Sequence, residues 1–117
     1  MVLHTLKDHN AVVVGVRQLR NGRLASWATD LTLRIWDMDT GLCICVLRGH
    51  TELVGGVVEL ADGRRVSWSD DFTLQVWDAE IGERLSGLYG HAGAVIGMTE
   101  LENGRLLSWS TDGSLRV

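Results

Sequence analysis

Residues 66–78 read VSWSDDFTLQVWD, with Gly49-His50 ahead of them, and this stretch occurs twice nearly complete and a third time in part. His9, His50 and His91 are each 41 residues apart, and so are Trp27, Trp68 and Trp109. Asp30, Asp71 and Asp112 keep the same interval, as do the pairs Trp36-Asp37 and Trp77-Asp78. Three copies in phase, with no insertion or deletion, make the repeat the unit to be read.

Working outward, Asn21-Gly22, Asp62-Gly63 and Asn103-Gly104 occupy one repeat position. Such pairs accept the positive φ angles of tight hairpins, and each lies between apolar runs of strand length. Gly41 and Gly82 follow the two Trp-Asp pairs at a second reverse turn. The punctuation predicts strands at 2–7, 43–48 and 84–89, then at 12–19, 53–60 and 94–101. Further strands are expected at 23–28, 64–69 and 105–110, and at 32–37, 73–78 and 114–117. Val, Ile, Thr and Trp dominate these runs and no 3.6-residue period is sustained, so helix should be nearly absent. The fold class is all-β, four antiparallel strands to a repeat joined as a meander.

The chain has 117 residues, no proline and a net charge of −4. No basic footprint invites nucleic acid or an anionic membrane, and no apolar run approaches the ~20 residues of a spanning helix. Without a signal-peptide pattern, a reducing, cytoplasmic setting is the expectation. Cys43 and Cys45, two apart in a predicted strand, are poorly placed to bridge each other and have no further metal ligand near them. They read as small, half-buried apolar residues. Nothing in the sequence implies a cofactor.

The whole chain resembles the WD-repeat (WD40) family. The resemblance rests on Gly49-His50 and Gly90-His91, on the pattern S-x-[SA]-x-D-x-[ST]-L-x-[IV], and on Trp-Asp at 36–37 and 77–78. Two departures stand out: Asp8 replaces the glycine of the first Gly-His pair, and Trp27, Trp68 and Trp109 take a position where relatives often carry a small residue. The resemblance implies β-propeller blades: 8–48, 49–89, and 90–117 with a borrowed outer strand. It also implies one hydrogen-bonded tetrad per blade: His9, Ser26, Asp30 and Trp36; His50, Ser67, Asp71 and Trp77; then His91, Ser108 and Asp112, with the pattern reaching only to Val117.

Ser, His and Asp together invite a catalytic reading. Catalysis needs an exposed nucleophile beside an oxyanion hole, whereas a recurring buried trio is a way of pairing polar atoms. We therefore read the chain as non-enzymatic. Trp27, Trp68 and Trp109 follow the serines by one residue and point to the other strand face; each should fill the gap to the next blade. Gly15, Gly56 and Gly97 share one position in the inner strand, where a close approach of strands around a channel is expected. Gln18, Glu59 and Glu100 share another and should be solvated loop-edge groups, or an acidic ring around the channel of a trimer.

Propellers close rings of roughly four to eight blades, and three blades would leave apolar faces and strand edges open. Closure by homo-oligomerisation is the expectation, with strand 2–7 of one chain completing the third blade of its neighbour. A nine-bladed trimer is favoured, because it avoids overpacking at the centre; a six-bladed dimer is the alternative. WD-repeat proteins generally act as platforms, so the resemblance implies proteins or peptides as partners. The candidate binding face comprises Asn10, Thr51, Glu52 and Ala92 in the loops before the inner strands, with Thr29, Asp70 and Thr111 in the neighbouring turns. A propeller building block or fragment without a ligand of its own is the second reading, and a ligand-binding or catalytic propeller the third.

Overall fold

The computed structural model describes residues 11–78 and 82–117. These form eleven strands and no helix: β1 Val13–Gln18, β2 Arg23–Ala28, β3 Leu33–Asp37, β4 Cys43–Leu47, β5 Val54–Glu59, β6 Arg65–Ser69, β7 Leu74–Trp77, β8 Arg84–Leu88, β9 Val95–Glu100, β10 Leu106–Ser110 and β11 Leu115–Arg116. Consecutive strands pair antiparallel into sheets ordered β1-β2-β3-β4, β5-β6-β7-β8 and β11-β10-β9. Every strand expected from the sequence within the described residues is found, trimmed by a residue or two at its ends. The expected strand 2–7 lies outside them. The three sheets stand side by side and do not close into a ring.

Turn chemistry sets the hairpins. At the β1–β2 turn both Asn21 and Gly22 take positive φ, at 61° and 72°. In the β5–β6 and β9–β10 turns only Gly63 and Gly104 do, and each donates its N–H back to Leu60 or Leu101. The turn between the second and third strands of each sheet carries a left-handed residue too: Leu31, Phe72 and Gly113. Only the last is a residue for which that conformation is free of steric cost.

Each sheet is thin, so the apolar core lies between sheets. Ala25, Trp27, Leu33, Ile35 and Leu47 of the first sheet pack with Val54, Val57 and Trp77 of the second. Leu74, Val76, Val66 and Trp68 of the second pack with Val95, Met98 and Leu106 of the third. Cys45 packs against the first cluster, and burial pushes its thiol pKa up. Most of the positions recur at 41 residues across both joints: Ala25 and Val66, Trp27 and Trp68, Leu33 and Leu74, Ile35 and Val76, Val54 and Val95, Val57 and Met98.

The glycines of the inner strands each face an indole. Gly15, Gly56 and Gly97 lie opposite Trp27, Trp68 and Trp109 across the inner hairpin. A Cβ at any of them would collide with that indole. The close approach seen in this chain is that of an aromatic ring folded over the glycine within one sheet.

Gln18, Glu59 and Glu100 need a second correction. Glu59 Oε1 accepts the backbone N–H of Arg20 at 3.0 Å and its Nε at 2.7 Å, reaching the turn of the preceding sheet. The Arg20 guanidinium also donates to Leu60 O, and Arg65 approaches Glu59 Oε2 at 3.6 Å. Forty-one residues on, Glu100 Oε1 accepts the N–H of Ala61 at 2.9 Å. Glu59 and Glu100 latch one sheet to the one before it and so are not simply solvated loop-edge groups. Burial works to raise the Glu59 pKa, but the Arg20 bonds and charge prevail and hold it below the usual value.

Candidate functional site

Two sets of residues singled out from the sequence meet at one end of the sheets. In the second sheet the polar set is continuous. Trp77 Nε1–H donates to Ser67 Oγ at 2.8 Å, and Ser67 Oγ lies 2.7 Å from His50 Nε2. His50 Nδ1 lies 2.8 Å from Asp71 Oδ2, which also accepts the Thr51 N–H at 3.0 Å. Asp71 Oδ1 takes the Thr73 N–H and hydroxyl at 2.9 and 2.6 Å.

The direction of these bonds fixes the proton on His50. A carboxylate only accepts, so Nδ1 carries the hydrogen; Nε2 then accepts from the Ser67 hydroxyl, whose oxygen accepts from the indole. Burial lowers the His50 pKa, outweighing the Asp71 hydrogen bond and charge that pull it up. Burial also acts to raise the Asp71 pKa, yet bonds from Thr73, His50 and Thr51 win and hold it low.

The third sheet repeats the pattern more loosely. His91 Nε2 is 2.8 Å from Ser108 Oγ, while Nδ1 is 3.4 Å from Asp112 Oδ2. Asp112 also accepts from Ser114 and from the Ala92 N–H, bonds that, led by the Ser114 hydroxyl, put its pKa far below the ordinary range. In the first sheet Trp36 Nε1 donates to Ser26 Oγ at 2.8 Å, and Asp30 Oδ1 accepts the Thr32 N–H and hydroxyl. His9 lies outside the described residues.

Ser67, His50 and Asp71 thus have the spacing of a hydrolytic triad. Ser67, however, is fully buried, and the indole N–H already occupies its oxygen. A nucleophile must meet its substrate, and no substrate atom has access to this Oγ.

The aspartates also organise the exposed rim around them. Asp71 and Asp112 hold the loop N–H groups of Thr51 and Ala92. Thr29, Asp70 and Thr111 donate their N–H groups to Val12, Leu53 and Ala94, tying each turn to the loop before the inner strand. Ser69 Oγ adds bonds to the Glu52 and Leu53 carbonyls. Thr29, Thr51, Glu52, Asp70, Ala92 and Thr111 are all exposed, and they come together sheet by sheet on this rim. Asn10 lies outside the described residues. Phe72 and Leu53, both exposed apolar residues, also sit in this turn-and-loop set and were not singled out from the sequence. Position 72 has the repeat phase of Leu31 and Gly113, which was the available signal.

Comparison with known proteins follows this geometry. Residues 41–78 match the family described as WD domain, G-beta repeat. Among solved structures, the WD40 β-propeller domain of Doa1 superposes with a TM-score of 0.84 at 26% identity, over 93% of this chain and 37% of that one. The computationally designed Ika8 protein superposes with a TM-score of 0.78 at 27% identity, over 92% of this chain and 33% of that one. The chain therefore spans about a third of the length of each. No curated protein sequence gives a match. Among the described residues no helix is long and apolar enough to cross a membrane. Residues 41–78 thus match a WD40 repeat, and the sheets are arranged as in part of a WD40 β-propeller.

Proposed function

We propose that the chain is a non-enzymatic WD40 interaction scaffold whose copies associate head to tail into a closed β-propeller, a cyclic trimer being favoured and a dimer the alternative. One observation carries this reading. Val54 and Val57, and again Val95 and Met98, are buried in the joints between sheets, whereas their counterparts Val13 and Val16 on the first sheet are 48% and 60% exposed. At the other end Trp109 is 36% exposed, although its counterpart Trp27 is 9% exposed beneath the second sheet. Each face matches the other as the two sides of the internal joints do. Heterologous contacts of this kind build rings when the rotation closes.

The latch supports the same pairing. Position 59 accepts from the N–H of residue 20 and position 100 from that of residue 61. By the same offset Gln18 Oε1 of one copy accepts the Glu102 N–H of another. The β7–β8 register pairs Leu74 with Leu88 and Gln75 with Gly87. Carried one repeat onward, it sets Leu115 beside Leu6 and Arg116 beside Thr5 of a neighbour, which is the borrowed outer strand 2–7. Blades then run 8–48, 49–89 and 90–117 plus that strand. Two free, half-buried cysteines accord with a reducing, cytoplasmic setting.

The tetrads serve as buried scaffolding in this reading, and the rim of Thr29, Thr51, Glu52, Asp70, Ala92 and Thr111, with Asn10, is the face for proteins or peptides. A second reading, a building block with no ligand of its own, is favoured by the uniform repeats and by the likeness to a designed propeller. Light scattering over a wide concentration range tests the proposal. We expect a particle of three times 12.9 kDa, and a smaller one for Val16→Glu. A persistent monomer would overturn ring closure.

A further inference from the structure

A cavity of about 350 Å³ opens between the β1–β2 turn of the first sheet and the β5–β6 turn of the second. Three arginines line it, Arg20, Arg23 and Arg65, together with Glu59 and Asp62. Two of the arginines are held in place. Arg20 donates through Nε to Glu59 Oε1 at 2.7 Å and through its guanidinium to Leu60 O. Arg65 is 2% exposed and approaches Glu59 Oε2 at 3.6 Å. Arg23 is half-buried, and among the described residues its side chain meets no hydrogen-bond or ion-pair partner. Asp37, across the strand pair from it, takes the N–H groups of Asp39 and Thr40 on Oδ1 and does not line the cavity. Asp62 is engaged by Arg64, which does not line the cavity either, with Nε 2.7 Å from Oδ2.

The next joint repeats this frame with the opposite charge. Glu59 and Glu100 make the same latch, to the N–H groups of residues 20 and 61. At the phases of Arg20 and Arg65, however, the second joint has Ala61 and Leu106. At those of Asn21 and Ala61 it has Asp62 and Glu102. Three arginines and two carboxylates in the first joint thus correspond to one arginine, Arg64, and three carboxylates in the second. The latch forms at the second joint with neither added arginine, so joining the sheets does not call for them. Burying a guanidinium at the phase of Leu24 and Leu106 is costly in solvation, and an anion in the cavity offsets that cost.

We propose that this cavity binds the phosphate group of a small phosphomonoester. Guanidinium groups present paired donors matched to phosphate oxygens. Arg23 supplies an open fork, and Arg20 and Arg65 supply fixed positive charge beside it. Arg64 neutralises Asp62, and Glu59 balances one of the three lining arginines. Two positive charges are left facing the cavity, which suits the dianion of a monoester, about −1.5 to −2 at pH 7. The volume is at the small end of the range of about 300–1,000 Å³ for ligand sites, with room for a small substituent beside the phosphate. The site lies at the opposite end of β2 and β6 from the rim of Thr29 and Asp70, and it does not require ring closure.

Calorimetric titration of the intact protein at fixed ionic strength tests this. The probes are glycerol phosphate as the monoester, inorganic phosphate as the bare ion and dimethyl phosphate as a singly charged diester. Glycerol phosphate should bind at one site per chain, and dimethyl phosphate more weakly. Arg23→Gln should weaken glycerol phosphate about tenfold, through loss of a charge-assisted hydrogen bond. Asp62→Asn removes a lining carboxylate and should strengthen it. Arg105→Gln, at the phase of Arg23 in the third sheet, should leave it unchanged. If Arg23→Gln fails to fold, Asp62→Asn, at an exposed turn position, still decides the matter. No binding of glycerol phosphate, or an affinity that neither Arg23→Gln nor Asp62→Asn moves, overturns the site. An equal loss in Arg105→Gln would do the same, by showing a general charge effect. Binding of inorganic phosphate without the ester would assign the cavity to the free ion and overturn the monoester.

Discussion

Gly56 lies directly across the β5–β6 pair from Trp68, and the indole covers it so closely that a Cβ there would fall 2.8 Å from Cη2 and nearer still to Cζ2. The pairing recurs at Gly15–Trp27 and Gly97–Trp109. A glycine in a strand forfeits packing, and an aromatic ring on the facing strand restores it. The large residue that departs from the family pattern and the strand glycine are therefore one feature. Gly56→Ala should cost about 1–3 kcal/mol through overpacking. In a Trp68→Ala background the same change should cost almost nothing, because the obstructing ring is gone. Urea denaturation of the four proteins of this cycle measures the coupling, and additive effects would remove the pairing from the account.

How far such features are legible in sequence depends on whether they run along the chain or across it. The 41-residue period marks strands and turns because alternation and Asn-Gly or Asp-Gly pairs are local. It also groups His50, Ser67, Asp71 and Trp77, which meet in space. What it does not carry is the partner of each repeated residue. Gly56 and Trp68 are related by strand register, and Glu59 and Arg20 by the packing of one sheet on the next. Repetition alone assigned the glycines to a channel and the carboxylates to solvent. Phe72 escaped notice because its strain lies in a φ angle, not in its hydropathy.

That strain supports a second prediction. Phe72 has φ 75° and is an exposed side chain, so its ring gains little from packing. The left-handed conformation costs a non-glycine residue roughly 1–2 kcal/mol, partly offset by the greater freedom glycine has when unfolded. Phe72→Gly should stabilise the chain by about 0.5–1 kcal/mol. Phe72→Ala keeps the Cβ and should not gain. A melting temperature raised equally by both would show that loss of the exposed ring, and not relief of the backbone, is responsible.

Acid should destabilise the protein in two stages. His50 has a folded pKa below its ordinary 6.5, with burial as the leading cause. The unfolded chain therefore takes up the proton first, and stability is lost as pH falls below that value. Protonation also gives Nε2 a hydrogen directed at Ser67 Oγ, which already accepts from Trp77. Asp71 has a folded pKa below 3.8, so its contribution is present above that pH and is lost on further acidification. Thermal melts from pH 8 to 5 should show a falling midpoint, and His50→Gln should flatten the decline. A midpoint that rises on acidification would mean that His50 is charged in the folded chain.

The three equivalent tryptophans offer a graded comparison. Trp27 is 9% exposed because the second sheet covers it, and its removal opens a space between two sheets. Trp27→Ala should cost about 3–5 kcal/mol, the range for deleting a large aromatic side chain from a core. Trp109 is 36% exposed, so at high dilution Trp109→Ala should cost clearly less. The order should tighten with concentration. If Trp109 of one copy seats on Val13 and Val16 of another, association stabilises the folded chain by mass action. The denaturation midpoint of the unaltered protein should then rise with concentration, whereas that of Trp109→Ala stays fixed. Denaturation curves at several protein concentrations measure both effects. A midpoint that does not move in the unaltered chain would separate the exposed indole from any role in assembly and leave it as one more surface of the third sheet.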